Sequence, residues 1–364
     1  VPRVAAVVLC QKKPEVDIPY IRVADSRLAL SRICCEFFGN PSRELIMIGV
    51  TGTNGKTTVT TLIKHMLEQC LHTKGAKVGL IGTNANIIGD EVLHTEHTTP
   101  DTYELQKLLR RMVDAGCTHA VMEVSSHSLV LHRVEGIRFR VGIFTNLSQD
   151  HLDFHKTMEA YAEAKALLFA QSDVGIVNAD DDWAHVMLER AKCPMQTYSA
   201  KRNDADLVAK DIRLSASGVR FVAMSGDAIA RMRLGIPGMF SVYNALSVIA
   251  CARALGISLD DCAAALDTAK PVKGRADRDR RGLYHPYRLR RHARRHRQHP
   301  HDGARVCACA AGVPLWLRRR PRPRQAPEDG THRRSEGGFR HRHERQPAHG
   351  RPGGDHCRHS RRTH

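Results

Sequence analysis

The sequence predicts an α/β protein with a mostly parallel sheet and a phosphate-binding loop, and three observations lead to this prediction. Short apolar runs alternate along the chain with amphipathic segments of helical length. One apolar run leads directly into a glycine loop and then into a helix. Polar side chains stand at the ends of several runs. Alternation of this kind is typical of parallel strands that are covered by helices on both faces.

Each element follows from its local pattern. Short apolar runs predict buried strands at 46–50, 78–81, 120–124, 141–145 and 174–178. Amphipathic stretches predict helices over 59–69, 102–115 and 157–169. Ligands of such folds bind at the carboxyl ends of the strands. Glu123, Asn146 and Asn178 stand at these ends, so we expect the functional site at this edge of the sheet.

The formal net charge of +18 is unevenly distributed along the 364 residues. The last 88 residues carry 24 Arg against 8 acidic residues, whereas the first 276 carry 32 basic against 30 acidic residues. The first three quarters of the chain is therefore almost neutral and gives no electrostatic reason to expect a nucleic-acid partner.

Cysteine usage and the opening residues indicate the compartment. The 11 Cys are scattered without a CxxC pair, which is typical of reduced thiols in the cytosol. The apolar run at 4–10 is too short to span a membrane, and no cleavage pattern follows it. We expect a cytoplasmic protein without a membrane partner.

The glycine loop has the chemistry of a phosphate site. Its glycines let backbone N–H groups approach phosphate oxygens, and the helix that follows presents its positive N-terminus. Lys56 adds a point charge, and Thr57 offers a hydroxyl to Mg²⁺. A tight glycine turn with an incidental lysine is the alternative, which the flanking strand and helix disfavour. The candidate nucleotide-binding residues are Gly52, Thr53, Asn54, Gly55, Lys56, Thr57 and Thr58.

The stretch 50–58, Val-Thr-Gly-Thr-Asn-Gly-Lys-Thr-Thr, resembles the ATP loop of the Mur ligases. Further matching segments between Thr98 and Arg275 resemble the MurE type within that family. These enzymes, like folylpolyglutamate synthase, activate a carboxylate as an acyl phosphate, which an amine then displaces. The resemblance implies ATP and Mg²⁺ as cofactors and a monomeric ligase of peptidoglycan synthesis, with no nucleic-acid or membrane partner.

The resemblance also implies a set of metal ligands, namely Thr57, Glu123, His151 and Lys165. Lys165 matches the family lysine that reacts with CO₂, which turns a cation into a carbamate anion able to face Mg²⁺. Lys56 and Lys165 are accordingly the candidate catalytic residues. The alternatives are a paired or solvated glutamate, a capping or core histidine, and a solvated lysine on a helix.

Two further groups of residues resemble family contacts. Asn178 and Asn244 stand where the family contacts ATP, although a strand-end turn and a helix cap would explain them equally. Ser241 replaces an asparagine that is usual in the family, and Leu131 replaces a glutamine that is frequent in MurE enzymes. The implied contacts to the substrate UDP-MurNAc-L-Ala-D-Glu are Thr98, Thr99, Ser125 and Arg133.

The domain organisation follows from the same resemblance. Residues 1–43 resemble the end of an N-terminal domain that holds the UDP moiety, and 44–273 resemble the ATP-binding domain. Residues 274–364 have no apolar period, and their Arg-rich and His-rich composition predicts disorder.

A shifted reading frame explains this tail. Codons can be chosen for residues 343–349 so that the same DNA, read one base later, encodes Asp-Asn-Pro-Arg, which is a MurE motif. The stretches 288–299 and 316–332 also yield family-like sequence, and all three follow the family order. We therefore interpret 274–364 as out-of-frame sequence that replaces the C-terminal ligase domain, and we expect the chain as written to be inactive. The motif favours meso-diaminopimelate as the added amino acid.

Two other interpretations stay open at this point. One is another Mur or folylpolyglutamate-type ligase, for example one that adds lysine. The other is an NTPase whose basic tail binds nucleic acid.

Overall fold

The computed structural model describes residues 7–272 and two short strands at 276–278 and 284–286. The expected out-of-frame tail otherwise lies outside the described residues. The strands are β1 (Val8–Cys10), β2 (Tyr20–Arg22), β3 (Ile46–Thr51), β4 (Val78–Ile81), β5 (Asn86–Ile88), β6 (Glu91–Leu93), β7 (His119–Glu123), β8 (Phe139–Phe144), β9 (Ser172–Asn178), β10 (Met195–Ser199), β11 (Leu207–Ser215), β12 (Gly218–Ser225), β13 (Ala228–Leu234), β14 (Ala276–Arg278) and β15 (Tyr284–Pro286).

Helices connect most of these strands. The α-helices are α1 (Ser26–Phe37), α2 (Lys56–Cys70), α3 (Thr102–Asp114), α4 (Ser126–Val130), α5 (Leu152–His155), α6 (Met158–Ala166), α7 (Ala184–Arg190), α8 (Met239–Ala254) and α9 (Leu259–Asp267). Short 3-10 helices cover Pro41–Arg43, His72–Lys74 and Leu167–Gln171. Within the described part of the chain, no helix is both long enough and apolar enough to cross a membrane.

Eleven of the described strands form one sheet, in the order β13-β12-β11-β10-β9-β8-β3-β7-β4-β5-β6. The strands from β11 through β4 in this order are parallel. Antiparallel hairpins extend the sheet at both edges. The prediction of an α/β fold with a mostly parallel sheet is confirmed. The antiparallel hairpins at the edges were not predicted from the sequence.

The predicted elements lie close to the observed ones. The strand predicted at 46–50 extends to Thr51, and the one at 78–81 has the observed bounds. The helix predicted over 157–169 begins at Met158 but tightens after Ala166 into a 3-10 helix. Thr157 caps its first turn, because its hydroxyl accepts a hydrogen bond from the N–H of Ala160.

Both faces of the sheet are covered by helices. Along β3, Ile48 and Val50 belong to one apolar cluster, which includes side chains of α2, α8 and α9. Met47 belongs to a second cluster with side chains of α3. Successive side chains of a strand point to opposite faces, so this central strand is buried on both sides, as its continuous apolar run predicts.

Register brings the carboxyl ends of the central strands to one edge. Val50 pairs with Glu123, and Thr51 pairs with Phe144. Phe144 in turn pairs with Val177 of β9. The segments that follow β3, β7, β8 and β9 therefore start side by side, and they carry the polar residues predicted to form the site.

Candidate active site

The loop between β3 and α2 depends on its two glycines. Gly52 has φ +143° and Gly55 has φ +86°. A Cβ on Gly52 would lie 2.0 Å from Oγ1 of Thr145, and one on Gly55 would lie 2.7 Å from Oδ1 of Asn244. Both the backbone conformation and the lack of space therefore require glycine here.

We expect Gly52→Ala to lower the free energy of unfolding by about 3 kcal/mol, because the methyl group meets Thr145 and the backbone conformation is strained. Denaturant unfolding measures the loss. Gly116→Ala is the matched control, since Gly116 has φ +77° but no atom within 4 Å of an added Cβ. Equal losses in the two variants would show that the contact with Thr145 is unimportant.

The segment after β8 braces the loop. The backbone N–H of Thr53 donates to the carbonyl of Asn146 (2.8 Å), and the N–H of Asn54 donates to Oδ1 of Asn146 (3.0 Å). The hydroxyl of Thr145 donates to the carbonyl of Asn54 (2.7 Å). The side chain of Thr53 also contacts Ser148, whose N–H donates to the Thr53 hydroxyl (3.0 Å). The loop is thus fixed by hydrogen bonds to a neighbouring strand end.

Two amines converge on one carbonyl oxygen of this loop. Nζ of Lys56 donates to the carbonyl of Gly52 (2.9 Å), and so does Nζ of Lys165 (3.0 Å). Lys165 is 1% exposed. Its burial, together with the charge of Lys56, lowers the pKa of Lys165 well below its usual range. The amines of Lys56 and Lys165 thus meet at one carbonyl oxygen at the start of the loop.

Tyr161 connects the buried amine with the loop. The ring of Tyr161 lies 4.5 Å from Nζ of Lys165, measured to the ring centroid. Its hydroxyl oxygen lies 3.3 Å from Oγ1 of Thr53. Sequence reasoning gave no role to Tyr161, although it stands four positions before Lys165 and therefore on the same helical face.

Glu123 ends β7 and is 1% exposed. Its carboxylate accepts hydrogen bonds from the backbone N–H of Thr83 (2.7 Å) and from the Thr83 hydroxyl (3.0 Å). Sequence reasoning did not identify Thr83. Thr83 follows Gly82, the first residue after β4. The same signal that pointed to Asn146, a polar residue just after a strand, would therefore have identified Thr83.

His151 stands beside two further histidines. The ring centroids of His127 and His151 are 4.9 Å apart, and those of His127 and His155 are 5.4 Å apart. Nε2 of His155 lies 2.8 Å from the hydroxyl oxygen of Ser126. Burial, with the charges of His127 and Lys165, lowers the pKa of His155 to about 4. The His127 and His155 contacts were not predicted.

Two of the predicted metal ligands offer buried oxygen atoms. Mg²⁺ prefers oxygen ligands, and the hydroxyl of Thr57 and the carboxylate of Glu123 supply oxygens from buried positions. Across the residues that the structure describes, no three His, Cys, Asp or Glu side chains form a group that could hold a metal ion. Thr57, Glu123 and a carbamate on Lys165 would supply the oxygen ligands that Mg²⁺ prefers, and His151 would add a nitrogen ligand. This assignment stays a prediction.

The two asparagines predicted to contact nucleotide both lie against the loop region. Nδ2 of Asn178 donates to the carbonyl of Thr145 (3.1 Å), and Asn244 faces Gly55. Next to them, the carboxylate of Asp180 accepts hydrogen bonds from the hydroxyls of Ser199 (2.6 Å) and Tyr243 (3.0 Å). Thr58 lies in the first turn of α2. The structure brings these residues together at the expected edge.

The residues predicted to meet the substrate form a second group near Glu123. The Thr99 hydroxyl donates to the carbonyl of Glu123 (2.7 Å) and accepts from the N–H of Ser125 (3.0 Å). Nε of Arg133 pairs with Asp101 at 3.0 Å. The Thr98 hydroxyl oxygen lies 3.1 Å from the Thr83 hydroxyl oxygen. These contacts hold the group in place, and its role toward a substrate stays a prediction.

Comparison with known proteins gives a consistent picture. Residues 50–252 match the family model described as the Mur ligase middle domain. The chain is 47% identical over 259 residues to the UDP-N-acetylmuramoyl-L-alanyl-D-glutamate–2,6-diaminopimelate ligase of Caldanaerobacter subterraneus subsp. tengcongensis, covering 71% of this chain and 52% of that protein. It is 42% identical over 279 residues to the ligase of the same name from Clostridium botulinum, covering 75% of this chain and 56% of that protein.

Solved structures agree with the sequence comparison. The structure of a UDP-N-acetylmuramoyl-L-alanyl-D-glutamate–2,6-diaminopimelate ligase superposes with a TM-score of 0.67 at 30% identity, covering 74% of this chain and 56% of that one. Mycobacterium tuberculosis folylpolyglutamate synthase complexed with ADP shares the fold, with a TM-score of 0.58 at 16% identity, covering 71% of this chain and 65% of that one. The chain thus spans about half the length of the ligases it matches in sequence.

Proposed function

Because the chain belongs to the Mur ligase family through its middle domain, we propose that its described part is the ATP-binding core of an amide ligase of peptidoglycan synthesis. The observation that carries this proposal is the loop after β3, where Lys56 and Lys165 converge on the carbonyl of Gly52. The amine of Lys56, beside a glycine loop and a helix N-terminus, suits the triphosphate of ATP. We propose that the ligase works in the cytoplasm as a monomer, without a nucleic-acid or membrane partner.

The proposed reaction joins meso-diaminopimelate to UDP-MurNAc-L-Ala-D-Glu. Two relatives with this activity in their names are 47% and 42% identical to the chain, which supports the assignment. The Asp-Asn-Pro-Arg motif of the shifted frame supports the same amino acid. A ligase that adds lysine is the second candidate. An assay that supplies either diaminopimelate or lysine distinguishes the two candidates.

The residues of the site have distinct proposed roles. Lys56 neutralises phosphate charge as the D-glutamate carboxylate becomes an acyl phosphate. Mg²⁺, when bound, neutralises further charge on the phosphates, and its proposed ligands are Thr57, Glu123, His151 and Lys165 in its carbamate form. Asn178 and Asn244 would contact the nucleotide.

The proposed substrate contacts lie on the Glu123 side of the site. Thr98, Thr99 and Ser125 offer hydroxyl groups, and Arg133 can bind both oxygens of a carboxylate. Arg133 already pairs with Asp101, so substrate binding would exchange one carboxylate partner for another.

The sequence from 274 to 364 is proposed to stand in the wrong reading frame. We expect the chain as written to bind ATP without ligating, and a version with the frame restored after Arg275 to release ADP. The assay supplies UDP-MurNAc-L-Ala-D-Glu with either diaminopimelate or lysine. A restored protein that binds no ATP would contradict the proposal. If the chain as written bound RNA tightly and in a salt-sensitive way, the tail would be a functional basic module instead.

A further inference from the structure

The hydroxyl of Thr51 is buried at the end of β3. Thr51 is the last residue of β3 and is 0% exposed. Among the residues that the structure describes, Oγ1 of Thr51 has no hydrogen-bond partner. Its carbonyl oxygen, in contrast, accepts from the N–H of Thr145 (3.1 Å). Buried hydroxyl groups in folded proteins almost always have a partner, so this one needs an explanation.

Alternation along β3 shows which face the Thr51 side chain occupies. Ile48 and Val50 pack on the α2 and α8 side. Gly49 lies on the opposite face, where an added Cβ would come within 3.1 Å of the Leu168 side chain. Thr51 follows Gly49 by two residues, so its side chain lies on that face as well. Part of this face is covered by the segment that runs from α6 into the 3-10 helix at Leu167–Gln171, which includes Leu168, and part of it is covered by α3.

Lys165 lies in the same segment, three residues before Leu168. Its Nζ is 3.0 Å from the carbonyl of Gly52, the residue directly after Thr51. The buried amine thus contacts the residue next to Thr51, and the Thr51 side chain lies on the face that this segment partly covers. Nothing in the described structure uses the hydroxyl in this arrangement.

We propose that Thr51 is a positioning residue, whose hydroxyl donates a hydrogen bond to the carboxylate that Lys165 gains on reaction with CO₂. The inference rests on the proposed function, in which Lys165 acts as a carbamate. In that reaction the amine lone pair attacks the carbon of CO₂, an N–C bond forms, and one C=O electron pair moves to oxygen. The nitrogen then loses a proton to the buffer, so one amine and one CO₂ yield one carbamate anion and one proton.

The chemistry explains why a hydroxyl is needed at this place. A carbamate has two oxygens that accept hydrogen bonds or bind a cation, and a buried anion is stable only when its oxygens have partners. The carbonyl of Gly52 can accept but cannot donate. Thr51 supplies a donor beside it, from a position closed to water.

The test compares four variants of the full 364-residue chain, Lys165→Ala among them, in ¹³C-labelled bicarbonate, with the carbamate carbon signal followed by NMR. Thr51→Val keeps the shape of the side chain and removes the hydroxyl, so we expect CO₂ to bind Lys165 at least about tenfold more weakly, the usual effect of losing a hydrogen bond to a charged group. Thr51→Ser keeps the hydroxyl and should retain the signal. Thr102→Val is the control for a buried threonine on another element, since Thr102 is buried on α3 and its hydroxyl oxygen lies 3.3 Å from that of Ser31.

Stability provides a second readout. Without bicarbonate, Thr51→Val should unfold at the same temperature as the parent chain or at a higher one, because the removed hydroxyl had no partner. A lower unfolding temperature together with an unchanged carbamate signal would overturn the inference. So would equal signals in the parent chain and in Thr51→Val.

Nucleotide binding separates this inference from the proposed function. If the parent chain binds ATP and shows the carbamate signal while Thr51→Val shows the same signal, then the Thr51 inference is wrong and the proposed function stands. If the parent chain binds no ATP and shows no signal, both are wrong. Lys165→Ala must lack the signal in either case, which identifies the modified amine.

Discussion

Lys56→Ala is expected to abolish ATP-dependent ligation in a version of the chain with the restored reading frame. Lys56 supplies the point charge of the loop, and its amine already lies at the carbonyls of Gly52 (2.9 Å) and Thr53 (3.1 Å). Removal of one charged donor from a site where negative charge develops costs at least about a hundredfold in rate. ADP release with saturating substrates measures the loss, and ATP binding measured by titration should weaken as well.

Lys64→Ala is the matched control for this prediction. Lys64 lies on the same helix and pairs with Glu68 one turn later, away from the loop. A salt bridge of this kind contributes little to stability, so the control should ligate at a near-normal rate. Near-normal ligation by Lys56→Ala would disprove the assignment of the loop as the ATP site.

Lys165→Ala is expected to lower turnover by at least about a hundredfold as well. The substitution removes the anion that Lys165 would provide as a carbamate and leaves a space where the side chain was. Short carboxylates such as acetate should enter this space and restore part of the activity. ADP release with and without added acetate measures the rescue.

Lys165→Met separates the lost charge from the lost packing. Methionine fills a volume similar to that of lysine with an apolar side chain, so this variant should fold normally, lack activity and not respond to acetate. Lys107→Ala, at an exposed position of α3, is the control for a surface lysine. Full activity of either Lys165 variant would show that the amine has no catalytic role.

The sequence predicted those parts of the fold that depend on local pattern. The buried run at 46–50 and the loop after it were evident because strand, glycine loop and helix are consecutive in the chain. The strands β11, β12 and β13, which pair antiparallel with one another, were missed, although the sequence of β13 carried a signal. Arg231 and Arg233 alternate there with buried Ala230 and Met232, the period of two that is typical of a strand with one solvent face.

Site residues were predictable where a polar side chain directly follows a strand, as for Glu123 and Asn146. The contact between the Tyr161 ring and the Lys165 amine depends on how α6 packs against the sheet, which no local sequence pattern specifies. The unpartnered hydroxyl of Thr51 was likewise invisible, because threonine in a strand is ordinary. Only the surrounding structure shows that this hydroxyl has no hydrogen-bond partner among the described residues.

The bracing of the loop by Thr145 and Asn146 has a consequence for the thermodynamics of ligand binding. A loop that orders only on contact with its ligand loses conformational entropy at that moment, and the loss weakens affinity. Here hydrogen bonds to a strand end distant in sequence hold Thr53 and Asn54 in place beforehand. The loop therefore loses its conformational entropy during folding and not during binding. The binding energy of the phosphates then remains available for affinity and for the chemical step.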